Sequence, residues 1–145
     1  MPRWVREAFS DYSARLGASL KLSLVEIEPG PRGAGRSPSQ AIEVEAQRLA
    51  NALRKDDYLV ALDERGTELT TRELSTWLAA RMQDGRDLAF LIGGPDGLDP
   101  ELLARSDFKW ALSRLTLPHA LVRVVLAEQL YRAHSVLTHH PYHRD

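Results

Sequence analysis

The chain has 145 residues, 43% of them hydrophobic and 27% charged, with a formal net charge of −1. That balance predicts one soluble globular domain with a real core, and no global attraction to nucleic acid. The absence of cysteine excludes disulfides, thiolate nucleophiles and cysteine-ligated metal, and fits a reducing cytoplasm. No apolar run reaches the ~18 residues of a membrane span, and the amphipathic start "MPRWVREAFSDY" is not a secretory signal.

In chain order, residues 2–16 read as a helix, with Trp4, Val5, Phe9, Tyr12 and Leu16 spaced near 3.6 and Pro2 suited to a first turn. Residues 20–27, "LKLSLVEI", alternate like a strand. "EPGPRGAGRSPSQ" follows as a mobile loop, and residues 41–55 as a second amphipathic helix. "YLVAL", 58–62, predicts a strand covered on both faces, after which "DERG" turns the chain. Thr70 with Glu73 makes a capping box for a helix over 71–83, ended by Gly85. "DLAFLI", 87–92, is a further buried strand. Asp99-Pro100 is a helix cap followed by proline at the first position, and "KWALS", 109–113, a last strand. From Pro118 to Leu137 the apolar positions exceed one stripe, which predicts a long helix packed on two sides, one of them against a second subunit. Strands alternating with helices give an α/β domain with a largely parallel sheet.

In such sheets ligands bind beyond the carboxyl ends of the strands. Three segments lie there: Leu62-Asp63, the loop "GGPDG" at 93–97, and the stretch from Leu112. The glycine loop follows a strand but matches neither G-x-G-x-x-G nor a phosphate loop with its lysine, so a nucleoside triphosphate is disfavoured. A tight turn and a close ligand both remain open for it. All five histidines lie after residue 118, three of them in "THHPYHRD". His140 and His143 lack the glutamate of H-E-x-x-H, and Pro141 breaks the helix that would aim both rings at one metal. A tail of His, Tyr and Arg suits phosphate contact, base stacking and proton transfer; a solvated terminus and a metal-dependent hydrolase are the alternatives.

Taken together, "LIGGPDGL", "LSRLTLPHALVRVVLAEQLYRA" and "HPYHR", with "MPRWV" and "YLVALDERG" in order, closely resemble the RlmH-type ribosomal RNA methyltransferases of the SPOUT class over essentially the whole chain. The resemblance implies an α/β fold, mostly parallel with flanking helices and a C-terminal trefoil knot, acting as a cytoplasmic homodimer with neither metal nor membrane. It implies S-adenosylmethionine as methyl donor and N3 of a pseudouridine in large-subunit ribosomal RNA, within the assembled ribosome, as acceptor. Its cofactor site carries over onto Leu62, Gly93, Leu112, Ser113, Arg114, Leu115, Thr116 and Leu117. On this reading Gly93 is bare because the donor's nucleoside lies against it. The acceptor side falls to Tyr142 for positioning, His143 as proton acceptor and Arg144 as charge stabiliser, with the tail closing over the partner's pocket. Arg123 is a weaker phosphate contact, and Arg32 and Arg36 are loop contacts to ribosomal RNA. His139 departs from the family's asparagine. Relatives also carry about ten residues ahead of "MPxW", enough for a first strand and a turn, so this single domain lacks that strand. A catalytically silent ribosome-binding dimer of the same fold is the alternative.

Overall fold

A three-stranded parallel sheet organises the domain. Tyr58–Glu68 (β1) is central, with Leu88–Leu91 (β2) on one side and Phe108–Ala111 (β3) on the other. The computed structural model describes residues 1–18 and 20–144. The helices are Arg3–Arg15 (α1), Pro38–Ala52 (α2), Thr71–Asp84 (α3), Pro100–Arg105 (α4) and His119–Leu137 (α5), followed by a 3-10 turn at Pro141–His143.

Local chemistry sets the helix ends. Thr70 Oγ1 accepts from Glu73 N–H at 3.1 Å, and Glu73 Oε1 accepts from Thr70 N–H at 2.8 Å. That reciprocal pair starts α3, and Gly85 ends it in the left-handed region at φ 80°. Asp99 caps α4 through the N–H groups of Glu101 and Leu102, with Pro100 at its first position. The α2 helix begins at Pro38, three residues before the sequence reading. Pro38 supplies a preset φ there, and Gln40 Oε1 accepts from Ser37 N–H at 3.3 Å.

Burial of one face each from α3 and α5 against the sheet forms the core. Val60 of β1, Trp110 of β3, Leu74 and Leu78 of α3, and Leu126, Leu130 and Ala133 of α5 make one buried cluster. Trp77 is its aromatic hinge, with ring centroids 6.1 Å from Tyr58, 6.3 Å from Phe90 and 5.6 Å from Phe108. One side chain thus ties the starts of β1 and β3 to the middle of β2. Each such ring pair adds about 0.5–1.5 kcal/mol to the burial of the rings themselves. The α1 helix packs on α5 instead of on the sheet, bringing Tyr12 to 6.4 Å from Tyr131.

Two expectations are corrected. First, "DERG" does not turn the chain back. The β1 strand continues to Glu68, and the ladder jumps from Leu62↔Trp110 to Thr67↔Trp110, so residues 63–66 bulge outward. Gly66 makes the bulge possible, because a Cβ there would stand 2.6 Å from Lys109 O. Second, residues 20–27 form no strand. Their alternation survives as burial, with Leu20, Leu22, Leu24 and Ile27 partly covered and Lys21, Ser23 and Val25 exposed, but their backbone joins no ladder. Period two reports which side faces the interior; pairing needs a neighbouring strand. Between this segment, the side chains of β2 and α2 lies a cleft of about 940 Å³.

Candidate functional site

Because both neighbours run parallel to β1, the carboxyl ends of β2 and β3 open onto the same side as Leu62, where the first stretch of β1 ends at its bulge. The register Ala61↔Leu91 and Leu62↔Trp110 sets Leu62, Ile92-Gly93 and Leu112 side by side there. They border a second cleft of about 400 Å³. Its wall includes Leu62, Gly93, Leu112, Ser113, Leu115, Thr116 and Leu117, seven of the eight residues assigned to a cofactor from sequence. The eighth, Arg114, is not on the wall. Its Nε pairs with Glu68 Oε1 at 2.6 Å, and its side chain is 89% exposed.

Residues 112–117 belong to neither strand nor helix, so their amides and carbonyls are not consumed by a ladder. Two side-chain bonds shape the segment. Ser113 Oγ accepts from Leu115 N–H at 3.0 Å, and Thr116 Oγ1 donates to Glu64 Oε2 at 2.8 Å. The second ties the segment to the β1 bulge. Leu115 remains 72% exposed, an apolar side chain at the rim with nothing over it in a single protomer.

The glycine loop forms the opposite wall. Gly97 N–H donates to Gly94 O at 3.0 Å, with Gly97 at φ 85°. A Cβ on Gly93 would lie 2.6 Å from Gly97 C and 2.9 Å from Leu98 N. The fold of the loop onto its own backbone thus requires glycine at 93 by itself, a reason the sequence reading did not include. The place of Gly93 on the cleft wall stands.

Asp63, Glu64, Asp96 and His119 also line the cleft, whereas no lysine or arginine does. Trp110 lines it too, and its indole N–H has no partner among the described residues. Such a site suits a small ligand with a flat apolar body and positive charge: leucines for the faces, free backbone for the edge, carboxylates for the charge. The sequence reading put Asp63 and Asp96 in strand-end segments without giving either a role, and took Glu64 as a turn residue. Their signal was adjacency to the strand ends.

The tail lies elsewhere. Tyr142 packs on Tyr131 with centroids 4.4 Å apart, beneath the Arg132 guanidinium at 4.7 Å. Burial, with a hydrogen bond from its own hydroxyl to Tyr12 next, pushes its phenol up to about 12, so it stays protonated at any working pH. His143 Nδ1 bonds His140 O at 2.6 Å, Arg132 reaches His143 O at 3.4 Å, and Arg144 takes the left-handed conformation at φ 54°. None of Tyr142, His143 and Arg144 borders the cleft. His119, at the start of α5, does border it, and the tail follows the other end of that helix, about 28 Å away at 1.5 Å per residue. Arg123 Nη1 pairs with Glu26 Oε1 at 3.2 Å, and its side chain is only 18% exposed. Among the described residues no group of three or more His, Cys, Asp or Glu is arranged to hold a metal ion, and no helix is long and apolar enough to cross a membrane.

Comparison with known proteins follows the same outline. Residues 1–143 match the family model described as a predicted SPOUT methyltransferase. The chain is 53% identical over 143 residues to the ribosomal RNA large subunit methyltransferase H of Stenotrophomonas maltophilia, covering 99% of this chain and 92% of that one. The protein of the same name from Alkalilimnicola ehrlichii is 53% identical over 148 residues, and that from Burkholderia ambifaria 51% over 144, with the same two coverages.

Proposed function

The chain belongs to the SPOUT methyltransferase family, and from that premise we propose that it moves a methyl group from S-adenosylmethionine to N3 of a pseudouridine in large-subunit ribosomal RNA, acting on the assembled ribosome as a homodimer. The observation that carries this reading is the convergence of three strand ends on one cleft with free backbone along one wall and three carboxylates around it.

When bound, S-adenosylmethionine supplies a methyl group on a positively charged sulfur. Leu62, Gly93, Leu112, Ser113 and residues 115–117 would hold it, the leucines covering the faces of the base and the backbone meeting its edge. Asp63 and Glu64 favour its positive charge. The acceptor nitrogen must lose its proton to become nucleophilic, and the electron pair of the breaking carbon–sulfur bond stays on sulfur. His143 takes that proton and Arg144 stabilises the anionic base. Tyr142, whose phenol stays neutral, positions the base and transfers no proton.

The separation of tail and cleft supports a site made from two chains. One protomer's tail, a helix length from its own cleft, closes over the partner's. The exposed Leu115 and the half-buried Leu121, Val122, Val124 and Val125 of α5 offer the apolar surface for that pairing. The C-terminal knot belongs to the same reading.

Mass spectrometry of ribosomal RNA from a deletion strain tests the function: one methylated pseudouridine is expected to vanish. Calorimetry with S-adenosylmethionine separates an active enzyme from a silent ribosome-binding relative, which would bind no donor. His143→Ala and Arg144→Ala are each expected to abolish transfer to unmodified ribosomes, and wild-type rates in both would remove the tail from the chemistry.

A further inference from the structure

Where α2, residues 29–36 and the glycine loop meet, a cluster holds Asp96, one of the carboxylates at the small cleft, through contacts not used above. Arg32 spans the cluster. Its Nη1 donates to Glu45 Oε2 at 2.7 Å and to Gly30 O at 3.2 Å, while its Nε donates to Asp96 Oδ2 at 2.9 Å. Gly30 N–H donates to the same Glu45 oxygen at 2.9 Å. Gly30 can reach it only because it has no side chain, since a Cβ would stand 2.7 Å from Ala41 Cα on α2.

Glu45 is the fixed end of this arrangement. Its side chain is 9% exposed. Burial pushes its carboxyl up, but the Arg32 hydrogen bond, the Gly30 N–H and the Arg32 charge outweigh that and hold it below the usual carboxylate range. Its second oxygen, Oε1, is buried with no partner among the described residues, 3.0 Å from where a Cβ on Gly94 would lie. Asp96 is the outer end, at the exposed tip of the glycine loop. The loop's own bond, Gly97 N–H to Gly94 O, closes the turn without tying it to the rest of the domain.

We propose that Arg32 is a positioning residue for the methyl-donor site: it fixes the tip of the glycine loop to α2 and so sets the affinity for a ligand it does not touch. The inference rests on the reading of the small cleft as the donor site. Gly94 and Asp96 line that cleft, and Arg32 borders neither cleft. The guanidinium serves two carboxylates from two of its nitrogens, which the single ammonium of lysine cannot reproduce. Without it Glu45 and Asp96 face each other as like charges, one of them buried, and the loop tip is driven away. Arg32 is thus spent inside the protein, not offered to ribosomal phosphate.

The test uses Arg32→Lys, Asp96→Asn and the double variant of the full chain, read by melting temperature, S-adenosylmethionine calorimetry and amide hydrogen exchange over residues 92–99 without donor. Lysine keeps a positive charge beside Glu45, so the melting temperature is expected to stay near wild type. Exchange over 92–99 accelerates, and the donor Kd rises about tenfold in each single variant. The double variant is no weaker than the weaker single, because both break one link. Unchanged exchange in both single variants overturns the clasp. Faster exchange with unchanged Kd overturns the positioning role and leaves the donor reading intact. Additive losses of affinity also overturn it, since Asp96 would then act on the donor directly. If the wild-type chain binds no donor, the cleft reading falls with the affinity claim, and the exchange data alone decide whether the clasp exists.

Discussion

Two clefts share the glycine loop and differ in nearly everything else. The larger, about 940 Å³, runs along the side chains of β2 and has a leucine-rich floor with a charged margin that includes Lys21, Asp57, Arg81 and Arg86. The smaller, about 400 Å³, sits at the strand ends and is walled by irregular backbone, leucines and three carboxylates. Volume alone would choose the first. Chemistry chooses the second, because it combines the strand ends, the backbone of residues 112–117 and carboxylates with no lysine or arginine, which suits a cationic donor, whereas the first brings arginines to its wall. The large cleft follows the flank of the edge strand β2; the small one lies across the ends of the sheet.

The strongest way to break this contrast is Gly93→Ala. Its Cβ would collide with Gly97 and Leu98 backbone, displacing the wall between the clefts. Methyl transfer to ribosomes is expected to fall on the order of 100-fold, as a misplacement near 1 Å does elsewhere. Near-normal turnover would show that the loop does not shape the site. Next in size is a gain. An extended apolar segment fused ahead of Met1 is expected to fill the large cleft as a further strand and raise the melting temperature by several degrees. An unchanged melting curve would mean that the trench is not a strand position.

Acidification gives a smaller effect, seated in neither cleft. His134 is buried in α5, and burial lowers its pKa from the ordinary 6.5. The unfolded chain therefore binds the proton more readily than the folded one. Stability from this group is complete above pH 6.5 and is lost as the pH falls below it. Thermal melts from pH 7.5 to 5.5 should show that loss in wild type and a flatter profile in His134→Gln. The smallest expected effect is at Arg114. Its exposed pair with Glu68 is worth about 1 kcal/mol or less, so Arg114→Ala should change the donor Kd by about twofold or less, in contrast to its neighbours in 112–117. A larger change would return Arg114 to the cofactor wall.

Features whose cause lies within a few residues were legible in the sequence. The Thr70–Glu73 box, the Asp99-Pro100 cap and Gly85 each act on their own helix end, and the helices follow them. The three strand ends were legible as a set because alternating strands and helices dictate a parallel sheet. What escaped depends on distant chain. Gly66 looks like a turn glycine until β3 lies against it. Residues 20–27 state their inward face but not their neighbour. Glu45 reads as one more acid on an amphipathic helix. Its only hint is that Ala41, four residues earlier on the same face, is buried. Whether the tail meets a cleft depends on the geometry between two chains, which no local pattern encodes.

The alternating run at 20–27 lies beside a strand with no ladder partner on its outer side. That makes β2 a four-residue edge without a strand partner on that side among the described residues, with a leucine-rich trench alongside. Colloidal behaviour follows from it. Extended chain from another molecule can dock where backbone pairing and side-chain burial are both on offer, and the net charge of −1 provides little repulsion to prevent it. Light scattered per unit concentration should rise as solutions of this chain are concentrated, and a short alternating peptide that occupies the trench should hold it constant.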